Sequence, residues 1–258
     1  LNQWEKAVWY ITIGLTAAVL VKLYLDGLIK IYRLLFSYLA TDFLSSVAGL
    51  FISFHSKAYG DFYFTAQTIK IVIAALMLVE IYSLALERHQ ALAQFGRSIV
   101  GYILLAAAVI PVVVLFTDRS ASAGAHPYMR TFFLFEQTMD ATMALFLVLI
   151  SIFLGWFPVR MRRNVIVYIA GFIAWTLSRS ALVHVINQWF RNTHLTQISN
   201  IVQMCVTLGC LCLWLVGLKR EGEARTAVVG HLWNRAEAER LTKQLDSIND
   251  SLERLRHR

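Results

Sequence analysis

The chain has 258 residues, 58% of them apolar and only 16% charged, with a mean hydropathy of +0.58 and a formal charge of +8. A water-soluble domain is about one quarter charged, so this composition excludes an ordinary soluble globular protein and points to a chain that lives in a bilayer. The positive charge reads as membrane topology and attraction to anionic lipid, with no case for nucleic acid as a partner.

A helix that crosses a hydrocarbon layer of about 30 Å needs about 20 mostly apolar residues. Seven runs fit: Trp4–Leu25, Leu34–Phe54, Phe62–Leu86, Ser98–Phe116, Phe132–Phe157, Val165–Phe190 and Thr196–Leu218. They are continuous, unlike the alternating segments of about ten residues in a β-barrel, because backbone groups in lipid must be paired internally. The expectation is an all-α seven-transmembrane-helix bundle over residues 1–222, followed by a linker and helical tail over 223–258. No basic leader and small-residue cleavage site precede the first run, so it is expected to be a retained span rather than a signal peptide.

Orientation follows from Lys and Arg, which accumulate in short cytoplasmic connections. With the amino terminus outside, the inner connections hold eleven: Lys22, Lys30, Arg33, Arg88, Arg97, Arg160, Arg162, Arg163, Lys219, Arg220 and Arg225. The outer ones hold five: Lys6, Lys57, Arg119, Arg130 and Arg191. The strongest anchor is PVRMRRN, residues 158–164.

Ionisable groups at membrane depth are costly, so they are expected to face the bundle interior or a wet cavity. Asp42 falls near the middle of the second run and Lys70 about two turns from the outer end of the third. Glu136 and Asp140 lie one turn apart in the outer half of the fifth, and Arg179 and His184 in the outer half of the sixth. Glu80 alone lies toward the inside. Helical spacing aligns Tyr38, Asp42, Ser45, Gly49 and Ser53 on the second helix, and Thr196, Asn200, Gln203 and Thr207 on the seventh. Gln67 and Lys70 share a face of the third. Arg179 and His184 are five apart, about 140° around a helix, so at most one points straight into a shared site. The fourth run is nearly bare of polar groups, is expected to face lipid, and should be kinked by Pro111.

Two accounts of this pattern stand side by side. In one, Glu136 and Asp140 are structural, neutralised by Lys70, Arg179 or His184. In the other, Asp42, Lys70, Glu136, Asp140, Arg179, His184, Asn200 and Gln203 line an outward-opening pocket of both charge signs for a small polar or zwitterionic ligand, or for a proton or cation. His55, His126, His184 and His194 lie near the outer face without sharing a turn, and Cys205, Cys210 and Cys212 read as packing residues. No metal site, disulfide framework or cofactor is expected.

In the tail, Asn234 and Glu237 form a capping-box-like helix start. Ala238, Leu241, Leu245, Ile248, Leu252 and Leu255 then recur at alternating three- and four-residue steps, a coiled-coil-like seam. The flanking charges are mixed, six basic and five acidic from Asn234 onward, which argues against a purely basic membrane-surface helix. The seam either packs under its own bundle or serves a second copy or a cytoplasmic partner.

A retinal protein needs a lysine inside the last helix, and none lies between Thr196 and Leu218. The third run ends SLALERHQ without an acidic-Arg-aromatic triplet, and no Asn-Pro pair followed by Tyr marks the seventh, so the receptor signatures of eukaryotes are missing. Buried His and Asp clusters of the zinc-dependent seven-helix hydrolases are also missing, and no nucleophile, base and orienter occur together, so an enzyme is not expected.

The segments LLFSYLATDF, FFLFEQTMD, GWFPVRMRRNVIVY and VVGHLWNRAEAERLTKQLDSINDSLER resemble a family of uncharacterised bacterial seven-helix membrane proteins with a short helical tail. The resemblance covers nearly the whole chain and implies only the fold, with no functional residues carried over; the expected location is a bacterial cytoplasmic (inner) membrane. The leading expectation is a non-enzymatic receptor-like or sensor-like protein. A transporter or proton conductor using Asp42, Lys70, Glu80, Glu136 and Asp140, or a structural subunit of a membrane complex, are the alternatives.

Overall fold

The computed structural model describes residues 3–52, 57–87, 90–117, 127–157, 159–188, 193–229 and 235–256, with side chains for most of these. The chain is helical almost throughout. Seven long helices form the bundle: α1 (Gln3–Leu25), α2 (Arg33–Phe51), α3 (Lys57–Ala85), α4 (Gln90–Thr117), α5 (Pro127–Trp156), α6 (Arg163–Gln188) and α7 (Thr193–Gly217). An eighth, α8 (Arg235–Arg256), is the tail. Ser53, His55, His126 and Asn234 lie outside the described residues, as do the side chains of His184, His194 and Thr196.

Six stretches are long and apolar enough to cross a membrane: Ala7–Leu25, Arg33–Phe51, Gly60–Ala85, Phe135–Trp156, Arg163–Leu182 and Gln197–Gly217. In α4 the apolar stretch among the described residues is Gln94–Val109, and the helix continues unbroken through Pro111. Large apolar side chains such as Tyr24, Leu105, Ile152 and Val216 are exposed around the perimeter. So extensive an apolar exterior is incompatible with water and suits contact with lipid, which makes the chain an integral membrane protein.

Neighbours in sequence pack as neighbours in space, and α1 closes the ring against α7. α3, packed between α2 and α4, also touches α5 and α6. That central place explains why Ile71, Met77, Leu78 and Ile81 of α3 are almost fully buried, together with Leu35 and Leu39 of α2 and Tyr168 and Phe172 of α6. Close helix approach relies on small residues. A Cβ on Gly171 of α6 would lie 2.4 Å from the Trp214 indole nitrogen of α7, and one on Gly217 would lie 2.6 Å from Val167.

The α1–α2 corner turns at Gly27, whose φ of 69° lies in the left-handed region that glycine enters without strain. A 3-10 turn over Leu28–Lys30 follows and seats Leu28 and Tyr32 in the core. At the same end of the bundle two short strands, β1 (Val159–Arg162) and β2 (Thr226–Val229), pair antiparallel with Val159 opposite Val229. The pairing joins the basic anchor PVRMRRN to the linker part of 223–258, two segments in which no strand is expected from the sequence. Alternation of Val159 and Met161 with two arginines, and the β-branched residues of TAVV, are the local signals for it. We call this the tail end of the bundle, and the opposite end the far end.

α8 packs against α4 of the same chain. Leu245 is buried, Leu241 is half-buried and Ile248 is 49% exposed, while the side chains of Ala238, Leu252 and Leu255 are outside the described set.

Candidate functional site

The two carboxylates of α5 are brought together by one arginine. Glu136 and Asp140 are four residues apart, so they project from the same face of α5. Arg179 of α6 reaches between them: its Nε donates to Asp140 Oδ2 at 2.8 Å, and its Nη2 donates to Glu136 Oε1. Gln67 of α3 donates to the same Glu136 oxygen at 2.9 Å. One turn before Arg179, Trp175 offers its ring face, with the guanidinium carbon 5.2 Å from the ring centroid. Trp175 in turn meets Tyr38 of α2 edge-on at 5.4 Å. Arg179 thus ties α6 to α5, with α3 joined through Glu136 and α2 through Trp175.

The desolvation of such a cluster is costly, and the multiple charge-assisted hydrogen bonds are what offset it. The side chain of Asp140 is 2% exposed against 12% for Glu136, so Asp140 lies behind the arginine and Glu136 in front. A second ion pair, Lys70 with Asp42 Oδ1 at 3.2 Å, joins α3 to α2 and is more open to solvent. Among the described residues the two pairs together hold three carboxylates and two cations.

A cavity of about 350 Å³ lies beside them, lined by Asp42, Lys70, Gln67, Glu136 and Arg179 on one side and by Ser199, Asn200, Gln203 and Thr207 of α7 on the other. Its apolar walls include Tyr38, Tyr63, Phe172, Trp175 and Trp214, and Met77 and Leu39 lie at the side nearer the core. A second cavity of about 270 Å³ extends between α1, α2, α3 and α7, lined by Trp9, Ser45, Gly49 and Met204. The two share Tyr63, Gln67 and Lys70, so these side chains of α3 form the partition between them. The polar stripes on α2 and α7 therefore face cavities: Tyr38 and Asp42 the first, Ser45 and Gly49 the second, Asn200, Gln203 and Thr207 the first again. Trp214 Nε1 is buried without a hydrogen-bond partner, as is Thr176 Oγ1.

One residue of the expected pocket set stands back from the cavity, and Glu80 lies apart from it, toward the end where the sequence puts it. Asp140 does not line the cavity, because Arg179 stands in front of it. Glu80 lies toward the tail end, where Tyr168 donates to its Oε2 at 3.1 Å. Among the described residues no group of three or more His, Cys, Asp or Glu side chains is placed to hold a metal ion. Cys210 donates to the Gly171 carbonyl at 3.3 Å, a packing contact between α6 and α7.

The tail end carries a second polar constellation, which sequence reasoning missed entirely. Glu223 follows α7 and accepts from three donors. Tyr32 Oη gives 2.7 Å and Asn164 Nδ2 gives 2.6 Å to its Oε1, while Arg162 Nη1 gives 3.2 Å to its Oε2. Asn164 is wholly buried and pairs with the Lys219 backbone in both directions, donating to its carbonyl at 2.8 Å and accepting from its amide at 3.2 Å. Arg162 also pairs with Glu87 at the end of α3. The Arg163 amide donates to the Arg225 carbonyl at 2.9 Å, where the β1–β2 pairing begins. Burial raises the pKa of the Tyr32 hydroxyl well above the usual tyrosine range, and the hydrogen bond and charge of Glu223 add to this. Tyr32 stays a neutral donor. In sequence, Asn164 was one more residue of a basic loop and Glu223 the first residue of a linker.

Comparison with protein-family models, characterised proteins and solved structures finds no match to this chain.

Proposed function

We propose that this protein is a non-enzymatic, receptor-like or sensor-like seven-span membrane protein, in which a guest in the far-end cavity alters how the segment after α7 is held at the tail end. α4, at 28 residues, is about 40 Å long and serves as the seventh span. The excess of Lys and Arg at the tail end supports a cytoplasmic location for that end, and so an outer location for the half of the bundle that holds Gln67, Glu136 and Arg179.

One observation carries this reading. Two helices each bear residues of both constellations: α3 has Gln67 and Lys70 at the cavity and ends at the Glu87 contact, while α6 has Arg179 at the cavity and Asn164 and Tyr168 at the tail end. A shift of α6 that accommodates a guest is felt by Asn164, and through it by Lys219 and Glu223. Such a switch requires the guest to prefer one of two bundle packings.

Hydrogen exchange on the full chain in nanodiscs tests the link. Arg179→Lys keeps the charge but loses the double contact to Glu136 and Asp140. The expected result is faster exchange at the Gly222 amide and along β1–β2, far from the substitution. Unchanged exchange there would leave the arginine as a local fastener and remove the sensor reading.

Conduction along Asp42, Lys70, Glu80, Glu136 and Asp140 is less well supported. Met77 and Phe172, the cavity-lining residues one turn from Glu80 and from its donor Tyr168, are both buried and apolar. A structural-subunit role remains the third reading, for which stoichiometric co-purifying partners are the test.

A further inference from the structure

We infer that the far-end cavity takes a small organic cation, an ammonium head on an aromatic or branched apolar body. This rests on the proposal above that the cavity is a ligand site, and it names the ligand's chemistry.

The first ground is charge. Asp42, Glu136 and Asp140 face Lys70 and Arg179, so among the described residues the cluster is one positive charge short. In a low-dielectric interior an uncompensated charge is expensive, and a monocation in the cavity completes the balance. An anion would double the deficit, and a zwitterion would leave it unchanged. The second ground is the lining. Glu136 and Asp42 present carboxylates to the cavity, while Asp140 is screened behind Arg179. Tyr38, Tyr63, Phe172, Trp175 and Trp214 supply aromatic surface from four helices, and ring faces attract organic cations. Trp175 already does this for Arg179 within the same wall. The third ground is size. A volume of about 350 Å³ equals that of about twelve water molecules at roughly 30 Å³ each, which admits a benzylammonium and exceeds a bare metal ion.

Equilibrium dialysis of the full chain in nanodiscs against benzylammonium, its neutral counterpart benzyl alcohol, and benzoate tests the inference. Saturable binding of benzylammonium, about tenfold tighter than either of the others, is expected. Glu136→Gln keeps an acceptor for Arg179 and Gln67 but brings the count to two against two, so affinity should fall about tenfold. Lys70→Met widens the deficit to two and should tighten binding severalfold, a direction that misfolding cannot produce. A preference for benzoate, or tightening by Glu136→Gln, would overturn the cation assignment while keeping the cavity as a ligand site. No saturable binding of any of the three would overturn both. Binding as predicted, with exchange along β1–β2 unmoved by saturating benzylammonium, would keep the assignment and sink the sensor reading alone.

Discussion

The Tyr32 hydroxyl donates to Glu223 Oε1 at 2.7 Å, joining the α1–α2 corner to the segment that leaves the bundle 191 residues later. Among the described residues the other donors to Glu223 come from the α5–α6 connection and the start of α6, so this contact brings the α1–α2 corner into the tail-end clasp. Tyr32→Phe keeps the ring packed edge-on to Tyr168 and removes only the hydroxyl. A loss of about 1–2 kcal/mol is expected, read as faster exchange at the Gly222 amide with little change at the far end.

The same hydroxyl sets a pH dependence. Burial, and then Glu223, raise the Tyr32 pKa in the folded state above its unfolded value. Its contribution is therefore complete below the unfolded value of about 10 and is lost as pH rises beyond it. Thermal unfolding followed from pH 8 to 11.5 should show a decline at the alkaline end that is shallower in Tyr32→Phe than in the parent. Equal slopes would contradict this.

Gly222→Ala should disrupt the clasp by collision. A Cβ there would lie 2.0 Å from Asn164 Oδ1 and 2.7 Å from its Cγ. Asn164 is buried and bonded to both Lys219 and Glu223, so it cannot yield without losing these bonds. We expect a cost of about 2–3 kcal/mol, with the lost protection centred on residues 219–229. Alanine at Gly14, which has open space around it, is the matched control and should be near neutral.

Arg179→Met strands two buried carboxylates one turn apart and should cost about 3–5 kcal/mol in unfolding measurements. Replacing Asp140 by Leu in that background should recover a large part, because Asp140 is the more deeply buried of the two. A double-mutant cycle with a coupling energy near zero would show that Arg179 and Asp140 do not act as a pair.

The tail separates two roles for its seam. Leu245→Asp buries a charge in the α8 helix that rests on α4, and should release α8, seen as proteolysis within 235–256 at much lower protease concentration. Ile248→Asp alters a half-exposed side chain and should leave the docking intact. A change of oligomeric state in Ile248→Asp, measured by light scattering in detergent, would instead mark the seam as a contact between copies.

Membrane character, the long helices and the polar faces of α2 and α7 were all legible in the sequence. Hydropathy needs about 20 neighbouring residues and a polar stripe only the 3.6-residue period, so both are local properties. What no local pattern contains is the choice of partner. Lys70, Arg179 and His184 were equivalent candidates for Glu136 and Asp140, and packing sent Arg179 to both carboxylates while Lys70 went to Asp42. Nor does the sequence show that Glu80, which the conduction alternative uses as a step, accepts from Tyr168 of α6. Asn164, Glu223 and the β1–β2 pairing became a clasp only because α6, α7 and the α1–α2 corner end at one height in the fold. Charges and amides carry no address in the chain; the helices that deliver them decide which of several chemically equal partners lies within 3 Å.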